Sequence, residues 1–158
     1  MSSCNVSRPR RLRKRFLRRG AIVLLTAIFL MIAFVLLAFA VDIGFMVTTQ
    51  AELQNAADAG ALAGARRLME GSQPARTAAS TAAAANKSAG QAIAIVADED
   101  IELGMWDENN ATFTKLAAAV ENQANAIRVT CRRNALRKNS LKLFFGGVAG
   151  TSTSILSS

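Results

Sequence analysis

From residue 21 to residue 41 the chain carries no charge, and Thr26 is the only polar side chain in the run. No polar face recurs at helical spacing, so the segment is apolar all round and does not read as a surface helix with an inner stripe. As a helix these residues reach about 30 Å, the thickness of a bilayer's hydrocarbon core. The pattern predicts a transmembrane helix over residues 20–42, preceded by a tail of residues 1–19.

Beyond the apolar run the pattern changes without a break. Leu53, Ala57, Gly60, Ala61, Gly64 and Leu68 share one face of a helical wheel, while Glu52, Asn55, Asp58 and Arg66 take the others. No proline or turn cluster interrupts the chain between Gly20 and Glu70. One helix of about 50 residues, some 75 Å long, is therefore expected, with residues 43–70 extending it past the bilayer. Glycines four apart let a second backbone approach closely. Each costs a helix about 1 kcal/mol relative to alanine, which points to a packing role. The protein's own domain and a partner helix would select the same residues, and both readings stand.

The remainder, residues 71–158, predicts a small mixed α+β domain. Ser72 is a candidate N-cap and Pro74 fits a first helical turn. The alanine-rich string that follows makes a second helix, with Gly90 as its C-terminal stop. The period then becomes two. Ile101, Leu103 and Met105 alternate in a strand, residues 107–110 supply turn chemistry, and residues 111–114 return. Ile127, Val129 and Cys131 alternate with Arg128, Thr130 and Arg132 in a further strand. Leu141, Phe144, Phe145 and Val148 have the spacing of a short helix capped by Ser140, and the closing residues 151–156 form an edge strand.

Charge changes the picture by its position. The net charge is +8, yet Arg8, Arg10, Arg11, Arg13, Lys14, Arg15, Arg18 and Arg19 all precede the apolar run, with no acid among them. The eleven other basic residues balance the 11 acidic ones. A basic block against an apolar span places the tail on the cytoplasmic side and the domain outside, and makes membrane lipid the partner of the excess charge. No folded basic face accompanies it, so nucleic acid is not an expected partner. Two processing readings compete with a permanent anchor. Residues 38–40 offer a signal-peptidase site, although the apolar run exceeds an ordinary signal peptide. A prepilin-type cut would fall after Gly20, where Leu25 takes the place of the usual glutamate.

Candidate chemistry is sparse. The chain has no histidine, which removes Ser-His-Asp and Cys-His mechanisms and the common zinc sites. No phosphate-binding loop appears, and neither an enzyme activity nor a cofactor is expected. The acidic residues 98–102 lack calcium-loop spacing and read as a solvated loop. The predicted topology places Cys4 and Cys131 on opposite sides, leaving Cys131 either buried and inert or bonded to another chain. Trp106 is expected to pack beneath a helix, with a binding anchor as the alternative. Asp42 is expected to be solvated at the outer interface, with a partner's charge as the alternative.

The arginine pair and Gly20, "VDIG" at residues 41–44 and "LQNAADAGALAGA" at residues 53–65 resemble the TadE/TadG-like family of Flp (tight-adherence) pilus assembly. "ADEDIELGMWD", "NAIRVTCRR" and "LFFGGVAG" resemble the C-terminal domain of its TadG-like members. The resemblance implies a pilin-like rod and a bacterial inner-membrane protein with a single anchor. It also implies a structural part in assembling an adhesive pilus, with other pilus-assembly or pseudopilin subunits as partners. It carries no catalytic, cofactor or metal residue. A processed pilin-like or secreted subunit is the alternative.

Overall fold

The computed structural model describes residues 17–146 and 152–157. It divides into two compact units, one ending at Ala38 and one beginning at Phe39. A single helix, α1 (Leu17–Arg66), contributes to both. It has no proline to stop it, and its glycines are too few to break a ladder of this length. In the first unit every side chain from residue 21 to residue 37 is exposed. By length and composition α1 is the one helix among the described residues fit to cross a membrane.

The second unit is α+β. α1 ends in a 3-10 turn (Leu68–Glu70), and Gly71 follows with φ +115°. α2 (Ser72–Ala84) then returns along α1. Pro74 lies in its first turn, where a missing N–H costs nothing. The N-cap is not the hydroxyl of Ser72: the residue is inside the helix, and its N–H donates to Asn122 Oδ1 at 3.0 Å. Ala75, Ala79 and Ala83 recur every fourth position and are all buried, so α2 presents an alanine stripe inward.

α2 stops at Ala84, six residues before the expected glycine stop. Gly90 serves another turn: strands β1 (Lys87–Ser88) and β2 (Gln91–Ala92) are joined by Ala89 and Gly90, both at positive φ. That is the backbone of a tight two-residue hairpin, and glycine takes the second position without a Cβ penalty.

After one helical turn, α3 (Ala97–Asp100), comes β3 (Ile101–Asp107), the centre of a three-stranded antiparallel sheet. β4 (Thr112–Lys115) lies on one side, with Trp106 opposite Phe113. β5 (Ala126–Val129) lies on the other, with Ile101 opposite Val129. The predicted turn at residues 107–110 is present. Asp107 Oδ1 accepts from the N–H of Asn109 at 2.9 Å and Oδ2 from the side chain of Asn110 at 2.7 Å. Asn110 first, and then the Asn109 N–H, hold the Asp107 carboxyl below its usual range.

The alternation over residues 127–131 is split between two sheets. Thr130 donates its N–H to the Asp100 carbonyl at 2.8 Å, and the chain continues as β6 (Cys131–Arg133) against β9 (Ile155–Ser157). The short helix expected from residue 141 is not formed among the described residues. Leu141–Lys142 is instead a strand, β7, paired with β8 (Ser152–Thr153), and residues 144–146 make a turn. The spacing of Leu141, Phe144 and Phe145 reflects one buried leucine and two exposed rings, not a helical face. Val148 lies outside the described residues. The expected closing strand is present as the two short segments β8 and β9.

The core gathers Leu53, Ala56 and Ala57 of α1, Ala79 and Ala83 of α2, Ile93, Ile101, Val129 and Cys131. Alanine supplies closeness and little area, so large apolar side chains are few.

Candidate functional site

The predicted small-residue face lies within the second unit. Leu53, Ala57, Gly60 and Gly64 are buried, Ala61 is half-buried, and Leu68 is half-buried in the 3-10 turn after α1. A Cβ built at Gly60 would lie 3.0 Å from the Ala79 carbonyl oxygen, 3.1 Å from the Ala83 Cβ and 3.2 Å from Val129 Cγ1. At Gly64 it would meet Ile127 Cδ1 at 2.5 Å and the Ala79 Cβ at 3.0 Å. The backbones of α1 and α2 are thus so close that a methyl group has no room at either glycine. This face is covered by α2 and β5 of the same chain.

Three charged groups that sequence reasoning passed over or read differently hold the domain. The first is Arg76, the only charge in α2. It is buried, donates to the carbonyls of Ala97 (2.8 Å) and Ile101 (2.7 Å), and pairs with Glu121 through Nη2–Oε1 at 2.5 Å and Nε–Oε2 at 3.2 Å. These bonds tie α2 to both ends of α3 and to the 3-10 segment Ala118–Gln123. One arginine in an alanine-rich helix, on the same side as Ala79 and Ala83, was the available signal.

Asp100 is the second, and it corrects the reading of residues 98–102 as a solvated loop. Its side chain is fully buried, accepts the N–H of Val96 at 2.8 Å, and is paired with Arg137 and with Arg132 Nε at 2.9 Å. The Arg132 contact is close without being aligned as a hydrogen bond. Arg137 also reaches Glu99 at 2.6 Å. The pull of Asp100 and Glu99 raises the Arg137 guanidinium above its usual range against the opposing effect of burial. Buried charge persists only with such partners. The signal missed was the match between the acidic run and the basic residues 132–137.

The third is Asp42, expected in solvent. It is only 6% exposed and accepts from the backbone N–H groups of Phe144 (2.9 Å), Phe145 (3.2 Å) and Gly146 (2.7 Å). Three donors from one turn converge on one carboxylate, an anion nest made by backbone. The Phe144 ring lies 5.0 Å from that of Phe45, one turn along α1. Nothing in local sequence links residues about a hundred positions apart.

Trp106 is 45% exposed and does not lie beneath a helix. It lines an open groove of about 230 Å³ with Ala57, Ala61, Phe113, Ile127 and Arg128. Met105, on the other face of the strand, is also exposed, because β3 runs past the edge of the core. Cys131 is buried and free, its thiol pushed up to about 11 by burial and by the charge of Asp100. Among the described residues no group of three metal-ligating side chains comes together. Cys4 and the basic residues Arg8, Arg10, Arg11, Arg13, Lys14 and Arg15 lie outside the described residues, while Arg18 and Arg19 fall in the first turn of α1.

The arrangement is one of tight packing and clamped turns, which suits a scaffold. Residues 20–67 match the Flp pilus-assembly TadE/G-like family, and residues 63–157 match the Tad-like Flp pilus-assembly family. The chain belongs to the Tad-like Flp pilus-assembly family. No curated protein and no solved structure matches it. The two matched segments of this Flp pilus-assembly component meet at the end of α1, but the compact unit starts at Phe39. Residues 39–67 of the first segment therefore fold with the second.

Proposed function

We propose that this chain is a single-pass inner-membrane protein that works as a structural or assembly component of a Flp pilus apparatus. Residues 1–19 lie in the cytoplasm and residues 43–158 outside. The carrying observation is that α1 passes without interruption from a stretch apolar on every side to a stretch whose glycines are buried in a Tad-like domain. A helix of that kind serves as a pilin-like rod that anchors and positions a domain, and no catalysis is needed for the role. The basic tail fixes the orientation through anionic lipid. The face centred on Gly60 and Gly64 acts as the seam between α1 and α2. Other pilus-assembly subunits then meet surfaces that α2 leaves open, such as the Trp106 groove with its aromatic wall.

One experiment with two readouts tests this. In cells whose outer membrane has been permeabilised, Cys4 is expected to resist a membrane-impermeant thiol reagent, and the membrane fraction is expected to hold the full-length mass. Ready labelling of Cys4 behind a sealed inner membrane would reverse the topology. A mature start at Ala21 or Val41 would replace the anchor with the processed, pilin-like reading.

A further inference from the structure

Asp42 directly follows the apolar run, and it is the residue that fastens the turn at residues 144–146 to α1. The turn carries two phenylalanines whose side chains are largely exposed, Phe144 at 65% and Phe145 at 53%. Another side of α1 at the same height is apolar too. Ile43 and Val47 on α1 are exposed, and so is Leu156 of β9, which shares a groove of about 410 Å³ with Ile43, Met46 and Val47. An apolar patch on an exposed turn invites a partner, and its position along α1 says which one.

If residues 21–41 fill the hydrocarbon core, the rise of the helix puts residues 42–47 within about 9 Å beyond it, in the headgroup layer. Phe39, Ile43 and Val47, four residues apart on one side of α1, are all exposed, so that side carries the apolar run on past Asp42. Lys142, exposed two residues before Phe144, places a cation where lipid phosphates lie. We infer that the Phe144–Phe145 turn, held by Asp42, inserts into the outer headgroup layer. This rests on the membrane-anchor reading and goes beyond it, because a single span alone leaves the domain free above the surface. A carboxylate at this depth is expensive unless satisfied. The three N–H donors satisfy it, and the turn they hold keeps both phenylalanines largely exposed.

The test uses the full chain in phosphatidylcholine–phosphatidylglycerol vesicles, in a Trp106→Phe background. Phe145→Trp reports the turn and Phe29→Trp reports the span, with lipids brominated at shallow or deep chain positions as quenchers. The expected result is a blue-shifted Phe145→Trp emission quenched most by shallow bromine, and a Phe29→Trp emission quenched most by deep bromine. Leu156→Trp gives an independent reading from the Ile43–Val47 groove at the same height if a tryptophan at position 145 disturbs the turn, and shallow quenching is expected there too. Asp42→Ala should lower quenching at position 145 and leave position 29 unchanged; equal quenching would overturn the clamp. Deep quenching at position 29 with red-shifted, unquenched emission at positions 145 and 156 would overturn the insertion and leave the anchor intact. A blue shift at position 145 that ignores bromine and grows with protein density would mean that a second copy covers the turn, which also overturns it. Loss of quenching at position 29 as well would instead bring down the anchor itself.

Discussion

The two halves of α1 are one backbone in two solvents. From Ala21 to Leu37 its side chains are mostly large, apolar and exposed on every side, so within this chain they pack on nothing. From Phe39 onward the helix belongs to the domain, and along the alanine- and glycine-rich residues 51–65 Leu53, Ala56, Ala57, Gly60 and Gly64 disappear beneath α2 and the strands. The hydrophobic effect drives the first half to apolar surroundings outside this chain, which the proposed anchor supplies as lipid, while the second half is buried by its own domain. Side-chain size follows from this. Lipid tails adapt to any outline, so bulk is welcome there; a neighbouring helix does not adapt, so closeness requires glycine and alanine.

The largest expected effect comes from making the same substitution in both halves. Leu53 is fully buried in the core, and Leu30 is exposed within the first unit. Leu53→Ala should cost the domain about 2–5 kcal/mol, from lost burial plus the cavity left behind. Leu30→Ala should stay within about 0.5 kcal/mol, as for a surface position. Unfolding of the full chain in detergent micelles, followed by Trp106 fluorescence, checks both. Equal losses would mean that the first half belongs to the domain's cooperative unit, and the contrast would disappear.

Glycine gives a finer comparison within the same helix. A methyl group added at Gly44 meets nothing within 4 Å, so Gly44→Ala should gain helix propensity, at most about 1 kcal/mol. The same change at Gly60 presses a Cβ against the Ala79 carbonyl at 3.0 Å and should cost about 1–3 kcal/mol from overpacking, more than the propensity returns. Gly64→Ala should cost a similar amount: the end of the Ile127 side chain, at 2.5 Å, can turn aside, but the Ala79 Cβ at 3.0 Å and the Ala75 carbonyl at 3.2 Å remain. Thermal unfolding of the three variants ranks them. A stabilised Gly60→Ala would show that α1 and α2 are not seated closely, and the partner reading of this face would return.

The features legible in the sequence are those written in local periodicity. The apolar run, the uninterrupted α1, the alanine-rich α2, the alternation of β3 and the Asp107 turn all show within a window of a dozen residues. What escaped depends on contacts between distant residues. Leu141 and Phe144 have helical spacing, yet pairing of β7 with β8 and the hold of Asp42 on the turn override it. Gly90 fits a helix stop and a hairpin equally well, and only the pairing of Lys87 with Ala92 decides. Asp100 looks solvated among its acidic neighbours until Arg132 and Arg137 arrive from more than thirty positions away. The small-residue face was legible as a face, but its cover was not, because an internal helix and an external one select the same residues.

The smallest expected effect asks how dry the second half of α1 keeps the core, and Cys131 reads it out. The thiol packs in one cluster with Leu53, and burial followed by the charge of Asp100 raises its pKa from 9.0 to about 11. The raised value means that the folded state favours the neutral thiol. That contribution to stability is complete below about pH 9 and is lost as pH rises through about 11. The wild-type domain should therefore lose stability across this window more steeply than Cys131→Ala, which has no thiol to ionise. Native alkylation of Cys131 should be slow at pH 8, because little thiolate forms and access is closed. Leu53→Ala should speed it, since the cavity lies in the same cluster, whereas Leu30→Ala should not. Fast alkylation of the wild-type chain, or equal rates in the two leucine variants, would show that water already reaches the core under α1, and that its two halves differ less in solvent than in side-chain size.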